Sequence, residues 1–189
     1  MNSLLFLTSE DFQIHKGAKG NIMCHSIPGF SLILFYSTQC EHCKTLIPIF
    51  KQQLPGTVGG CQFGIINVSH NKQCVLMSRQ TIAPIKVVPY IILYVNNKPW
   101  IRYRGPHDAG EIARFIVEVS QSIQNKKKNP KTQKKIVKDP NGGIPAYTIG
   151  KPLYGNEEDV CYLEFNNAYG DKKPVAIREA RSLPLGAGM

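Results

Sequence analysis

Ser31-Leu32-Ile33-Leu34-Phe35-Tyr36-Ser37-Thr38-Gln39-Cys40-Glu41-His42-Cys43-Lys44 decides how this chain folds. Residues 31–36 form a nearly unbroken apolar run, as expected for a strand covered on both faces by helices. The run ends just before a Cys-x-x-C pair. Beyond the pair, Leu46, Ile47, Phe50 and Leu54 recur at helical spacing until Pro55-Gly56 closes the segment. Pro48 lies inside that pattern and should kink the helix without necessarily ending it.

A Cys-x-x-C by itself says little. Between a buried strand and an amphipathic helix, however, Cys40 lies at a helix N-terminus, where unpaired backbone donors and the helix dipole favour a thiolate. Cys40 and Cys43 are therefore read as a redox-active dithiol/disulfide pair. Cys40 would attack, and Cys43, one turn further in and better buried, would resolve the mixed disulfide. His42 can stabilise the Cys40 thiolate as a donor or partial positive charge. Glu41 would oppose it if it pointed at the sulfur, and both side chains could equally be solvated helix-start residues.

Outward from this centre, Leu4 to Leu7 reads as a short strand followed by a helix starting at Thr8 or Ser9. Gln62 to Val68 reads as a strand and the polar stretch to about Gln80 as a helix. Tyr90 to Val95 and Pro99 to Tyr103 form a hairpin across Asn96-Asn97. In Glu111 to Ile123, Ile112, Phe115, Ile116 and Val119 share one helical face. The order strand, helix, strand, helix, strand, helix, hairpin, helix predicts an α/β fold with a mixed sheet.

The residues so placed resemble the thioredoxin superfamily and, in detail, the catalytic domains of protein disulfide isomerases. Residues 32–44 resemble the family's strand, active-site turn and following lysine. Pro48 matches the kink proline, and Tyr103-Arg104-Gly105-Pro106 is similar to the segment before the last helix. Val88-Pro89 matches the proline held in cis opposite the dithiol. The resemblance implies a thioredoxin fold over about Leu4 to Gln124, thiol–disulfide exchange on protein substrates with no cofactor or metal, and Val88 and Pro89 as the substrate-binding loop. There the Val88 backbone would pair with an extended substrate strand. Leu34 stands where the family buries an acid and Ile65 where that acid's lysine partner lies, so the proton relay for Cys43 is missing. General acid–base help of that kind is worth about 100- to 10,000-fold. Gln39 replaces a tryptophan, and His107 stands where isomerases often carry an arginine.

Composition sets the boundaries. The formal net charge of +10 divides into +5 for residues 1–124 and +5 for residues 125–189. In the second part it is concentrated, because Lys126, Lys127, Lys128, Lys131, Lys134, Lys135 and Lys138 occur without an intervening acid. Such a block stays solvated unless an anion neutralises it. The expected organisation is a thioredoxin-like domain at 1–124, a lysine-rich linker at 125–143, and a basic, irregular arm at 144–189, extended or docked. The arm's lysines suit a protein or nucleic-acid partner, and its clusters Ile144-Pro145-Ala146-Tyr147 and Val160-Cys161-Tyr162-Leu163-Glu164-Phe165 suit docking.

Six cysteines with no visible export signal argue for reduced, reactive or buried thiols. Zinc is the competing use for Cys24, His25, Cys40, His42, Cys43, Cys61, His70 and Cys74, but a structural site usually shows two close-spaced pairs. Cys24, Cys61, Cys74 and Cys161 are read as small buried hydrophobes or incidental thiols. The expected location is cytoplasmic with no membrane contact, the nucleus being an alternative. The architecture also resembles the thioredoxin-like proteins of large cytoplasmic DNA viruses, which implies a virion or viral factory. The alternative function is a thioredoxin-fold structural or binding module of some assembly, with little turnover.

Overall fold

A computed structural model describes residues 3–126, 129–149, 159–163 and 177–179. Lys127, Lys128, Glu164 and Phe165 of the clusters above lie outside the described residues. The strands are β1 (Leu5–Phe6), β2 (Phe12–Lys16), β3 (Asn21–His25), β4 (Phe30–Tyr36), β5 (Cys61–Asn67), β6 (Val87–Val88), β7 (Tyr90–Val95), β8 (Lys98–Arg104), β9 (Ile136–Val137), β10 (Ala146–Thr148), β11 (Cys161–Leu163) and β12 (Ile177–Glu179). The helices are α1 (Glu41–Pro48), α2 (Lys72–Ser78), α3 (Ala109–Gln124) and α4 (Pro130–Lys135).

The central sheet is mixed, with order β1-β5-β4-β7-β8-β10-β9. β4 lies parallel to β5 and antiparallel to β7. Its residues Leu32 to Phe35 are fully buried, Ile33 and Phe35 in one apolar cluster and Leu32 and Leu34 in the other. Alternate side chains of one strand thus feed two cores, which is why the run could be apolar throughout. α3 closes the second core with Ile112, Phe115, Ile116 and Val119, and is capped by Asp108, whose carboxylate accepts from the Glu111 N–H at 3.0 Å. Asn96 and Asn97 both take positive φ, 47° and 75°, forming the tight turn between β7 and β8.

Helical backbone continues past Pro48, the last residue of α1. Lacking an N–H, it hands over to a π-helical stretch at Ile49–Gln53, closed by the Leu54 N–H donating to the Ile49 carbonyl at 3.0 Å.

Two expectations are corrected. The helix starting at Thr8 or Ser9 is only a three-residue 3₁₀ turn, Ser9–Asp11, with the Thr8 N–H donating to the Asp11 carboxylate at 2.7 Å. The chain then forms the β2–β3 hairpin. Phe12 and Ile14 point inward from β2 more than Gln13 and His15, and this alternation outweighed the cap.

The stretch 125–143, expected as a linker, carries α4 and β9. β10 adds parallel to β8, and Tyr147, fully buried, packs its ring 4.9 Å from Phe115 and 6.1 Å from Tyr103. Its hydroxyl donates to the Glu118 carboxylate at 2.8 Å, and Lys135 pairs with the same carboxylate at 3.2 Å. This segment shares the second core rather than trailing from it. Lys126, Lys131, Lys134 and Lys138 are exposed.

Candidate redox site

Strand β4 delivers the chain to a tight turn before α1. The Cys40 N–H donates to the Ser37 carbonyl at 3.2 Å, and the Gln39 N–H donates to Ser37 Oγ, also at 3.2 Å. Ser37 Oγ is in turn bonded to Ser69 Oγ at 2.7 Å. Cys40 takes the N-cap of α1 with extended backbone, φ −92° and ψ 117°, and its carbonyl accepts from the Cys43 N–H at 3.1 Å. Its sulfur thus lies at the positive end of the helix dipole. Opposite stands the cis Val88–Pro89 peptide, with the Val88 carbonyl oxygen 3.5 Å from Cys40 Sγ. A Cys40 thiol could donate to that oxygen; a disulfide sulfur cannot.

Cys43 is a free thiol with no exposed surface. Burial pushes it up to about 12, against a smaller opposing effect from a Ser37 backbone hydrogen bond. Tyr36 is raised too, first by burial and then by the nearness of Cys43. Leu34 and Ile65 are direct partners across β4 and β5, both buried. The two positions that would hold an acid and its lysine partner are adjacent, and both are aliphatic. Cys43 is therefore held in its protonated form by desolvation.

Glu41 and His42 occupy the two positions between the cysteines. Glu41 pairs with Lys44 at 2.6 Å on the exposed side of the helix, so its charge is drawn from the sulfur. His42 is half-buried, and its carbonyl accepts from Thr45 Oγ1 at 2.9 Å. Its ring makes no hydrogen bond, ion pair or ring contact among the described residues. Gln39 is exposed and His107 half-buried. The Tyr103 hydroxyl ties down the segment before α3 by donating to the Pro106 carbonyl at 2.7 Å.

The partner of Cys40 differs from the one read in the sequence. Cys40 is disulfide-bonded to Cys161, with Cα atoms 6.0 Å apart and a sequence separation of 121, and Cys43 is not bonded. Cys161 is thus no incidental thiol. It lies on β11, which pairs antiparallel with β6 in the register Cys161 opposite Val88 and Tyr162 opposite Val87. The Leu163 N–H donates to the Lys86 carbonyl at 3.0 Å. No feature near Cys161 marked it in the sequence except the apolar cluster around it, because what brings it to Cys40 is a strand pairing across most of the chain.

The other cysteines are dispersed. Cys24 lies on β3, Cys61 starts β5 in the second core, and Cys74 on α2 sits in the first core, its Sγ 3.9 Å from Met23 Sδ. Burial pushes Cys61 and Cys74 up to about 12 as well. His25 is committed to structure: its Nδ1 accepts from the Ile27 N–H at 3.1 Å, which leaves the proton on Nε2 for Ser31 Oγ, also at 3.1 Å. Among the described residues no three His, Cys, Asp or Glu side chains converge as metal ligands. No helix among them is long and apolar enough to cross a membrane.

Residues 25–118 match the thioredoxin family model. Over 148 residues the chain is 34% identical to the uncharacterized protein 196R of Invertebrate iridescent virus 6, covering 78% of this chain and 79% of that protein. It is 29% identical over 170 residues to the uncharacterized protein 020R of Invertebrate iridescent virus 3, covering 88% and 96%. Among solved structures it is similar to a mutant thioredoxin from Halobacterium salinarum NRC-1, with TM-score 0.44, 17% identity and coverage of 61% of this chain and 88% of that one. Human ERp44 shares 20% identity at TM-score 0.40, covering 48% of this chain and 25% of that one.

Proposed function

The chain belongs to the thioredoxin superfamily, and on that footing we propose that it is a thiol–disulfide oxidoreductase whose attacking sulfur is Cys40. One observation carries the reading: Cys40, at the N-terminus of α1, is already joined in a disulfide to a cysteine borne on an extended strand that pairs with Val88. That is the arrangement thiol exchange with a protein substrate requires.

In the reducing direction, the Cys40 thiolate attacks one sulfur of a substrate disulfide, and the other leaves as a thiolate. Cys43 then attacks Cys40 Sγ, the Cys40–Cys43 bond forms, and the substrate's second sulfur leaves as a thiolate and takes up a proton. The helix dipole favours Cys40 as the first nucleophile. The backbone of Val88 supplies strand pairing, and the bend at Pro89 turns the loop toward the sulfur. The iridescent-virus relatives support a setting in virus-infected cells, in the cytoplasm or the virion.

Reduction of insulin by dithiothreitol and refolding of a reduced disulfide protein test the proposal, with Cys40→Ser as control. Wild type should accelerate both and the variant neither. Equal behaviour would remove catalysis and favour a binding or structural module, a reading that the aliphatic pair of Leu34 and Ile65 across β4 and β5 supports.

A further inference from the structure

A substrate strand that is to bring its cysteine to Cys40 must pair with the edge of β6, and a segment of this chain occupies that edge. β11 lies along it with Cys161 opposite Val88, and on its far side β12 pairs antiparallel, Cys161 opposite Glu179. Val160, Cys161 and Leu163 are 5%, 1% and 8% exposed, and they pack in the same apolar cluster as Cys40, Cys43, Val87 and Val88. Covalent bond, strand register and apolar burial all fall on the same few residues.

We infer that Cys161 is a third redox residue of the site, and that residues 159–163 are an in-chain stand-in for substrate, released when Cys43 attacks Cys40. The inference rests on the oxidoreductase reading and adds to it the occupant of the site and the class of substrate.

The exchange balances within three sulfurs. Cys43 gives its proton to water and its thiolate attacks Cys40 Sγ, the Cys40–Cys161 bond breaks as the Cys40–Cys43 bond forms, and Cys161 leaves as a thiolate that takes that proton back. No outside oxidant or reductant enters. Without its covalent anchor β11 holds only by pairing and burial, and a second strand can displace it. In the reverse direction, a tethered thiol acts at an effective concentration on the order of millimolar, so dilute foreign thiols cannot compete with Cys161. The stand-in also describes the true substrate: an extended segment whose cysteine follows an apolar residue and precedes an aromatic and a second apolar one, as in Val160-Cys161-Tyr162-Leu163.

The test uses the full chain and two variants. After oxidation with diamide, acid quench, alkylation and peptide mapping, wild type should show Cys40 linked to Cys161 with Cys43 alkylated, and Cys161→Ser should show Cys40 linked to Cys43. A wild type linked only through Cys40 and Cys43 overturns the inference. Leu163→Pro deletes the backbone donor to the Lys86 carbonyl. In the reduced protein, its Cys40 should form a mixed disulfide with a synthetic Val-Cys-Tyr-Leu peptide, activated by a chromophoric leaving thiol, about tenfold faster than wild type, the equivalent of one lost strand hydrogen bond. An unchanged rate overturns the stand-in and leaves the oxidoreductase reading intact. A Cys40 that in Leu163→Pro reacts no faster than free cysteine overturns that reading itself, and the inference with it.

Discussion

Attack by Cys43 on a mixed disulfide at Cys40 should be slow at neutral pH and should accelerate with alkali far beyond the range of an ordinary thiol. With its thiol pushed up to about 12 by burial, Cys43 has a thiolate fraction at pH 7 on the order of 10⁻⁵, against about 3% for a free cysteine near 8.5. That is roughly 3,000-fold fewer nucleophiles. The more basic thiolate recovers roughly 40-fold through its higher intrinsic nucleophilicity. The net expectation is a step about 80-fold slower than that of an unperturbed thiol held in the same place. Tyr36, itself raised by burial and by Cys43, stays protonated near neutrality and supplies no base. The assay loads Cys40 of the Cys161→Ser chain with a cysteine peptide as a mixed disulfide, then follows peptide release after jumps to pH 7 through 10. The rate should climb about tenfold per pH unit across the whole range. A plateau near pH 9 would show that Cys43 titrates as a solvated thiol, and the argument from desolvation would fail.

His25, held neutral by burial with a value lowered to about 4, contributes stability that is complete above about pH 6.5 and lost as the pH falls toward 4, up to roughly 3 kcal/mol. Urea midpoints at pH 7 and pH 4 should therefore differ more for wild type than for His25→Gln, and equal differences would contradict a neutral, buried imidazole. Tyr147→Ala should lower the stability of the whole domain by about 3 kcal/mol, since a fully buried ring between Tyr103 and Phe115 is lost. Hydrogen exchange showing a loosened α4 and β10 but an unchanged α3 would refute that coupling.

The fold was legible wherever local chemistry and global packing agreed. Residues 31–36 read as a doubly covered strand because alternate side chains enter two cores, and Asn96-Asn97 read as a hairpin because both residues accept positive φ. The cysteine turn could be placed because a strand and a helix frame it. The Thr8 cap misled because it starts only a single 3₁₀ turn, while the alternation of Phe12 and Ile14 in the next strand was the stronger, unread signal. Tyr147 looked like part of an arm because its partners, Phe115 and Glu118, are distant in sequence. The bond between Cys40 and Cys161 was hidden for the same reason. The chemistry of a cysteine can be read from its neighbours along the chain, whereas its partner depends on which strands meet.

The seven-stranded sheet has an unusual hem. It ends on one side in β1 and on the other in β9, each only two residues long. Without the segment that supplies β9 and β10, the seven residues of β8 would form the outermost row, offering a long ladder of unpaired amides to any neighbouring copy. As it stands, β10 covers Arg102 to Arg104 of that row and the strand outside it, β9, is two residues long, so among the described residues this margin offers a shorter row of unpaired amides than β8 alone would.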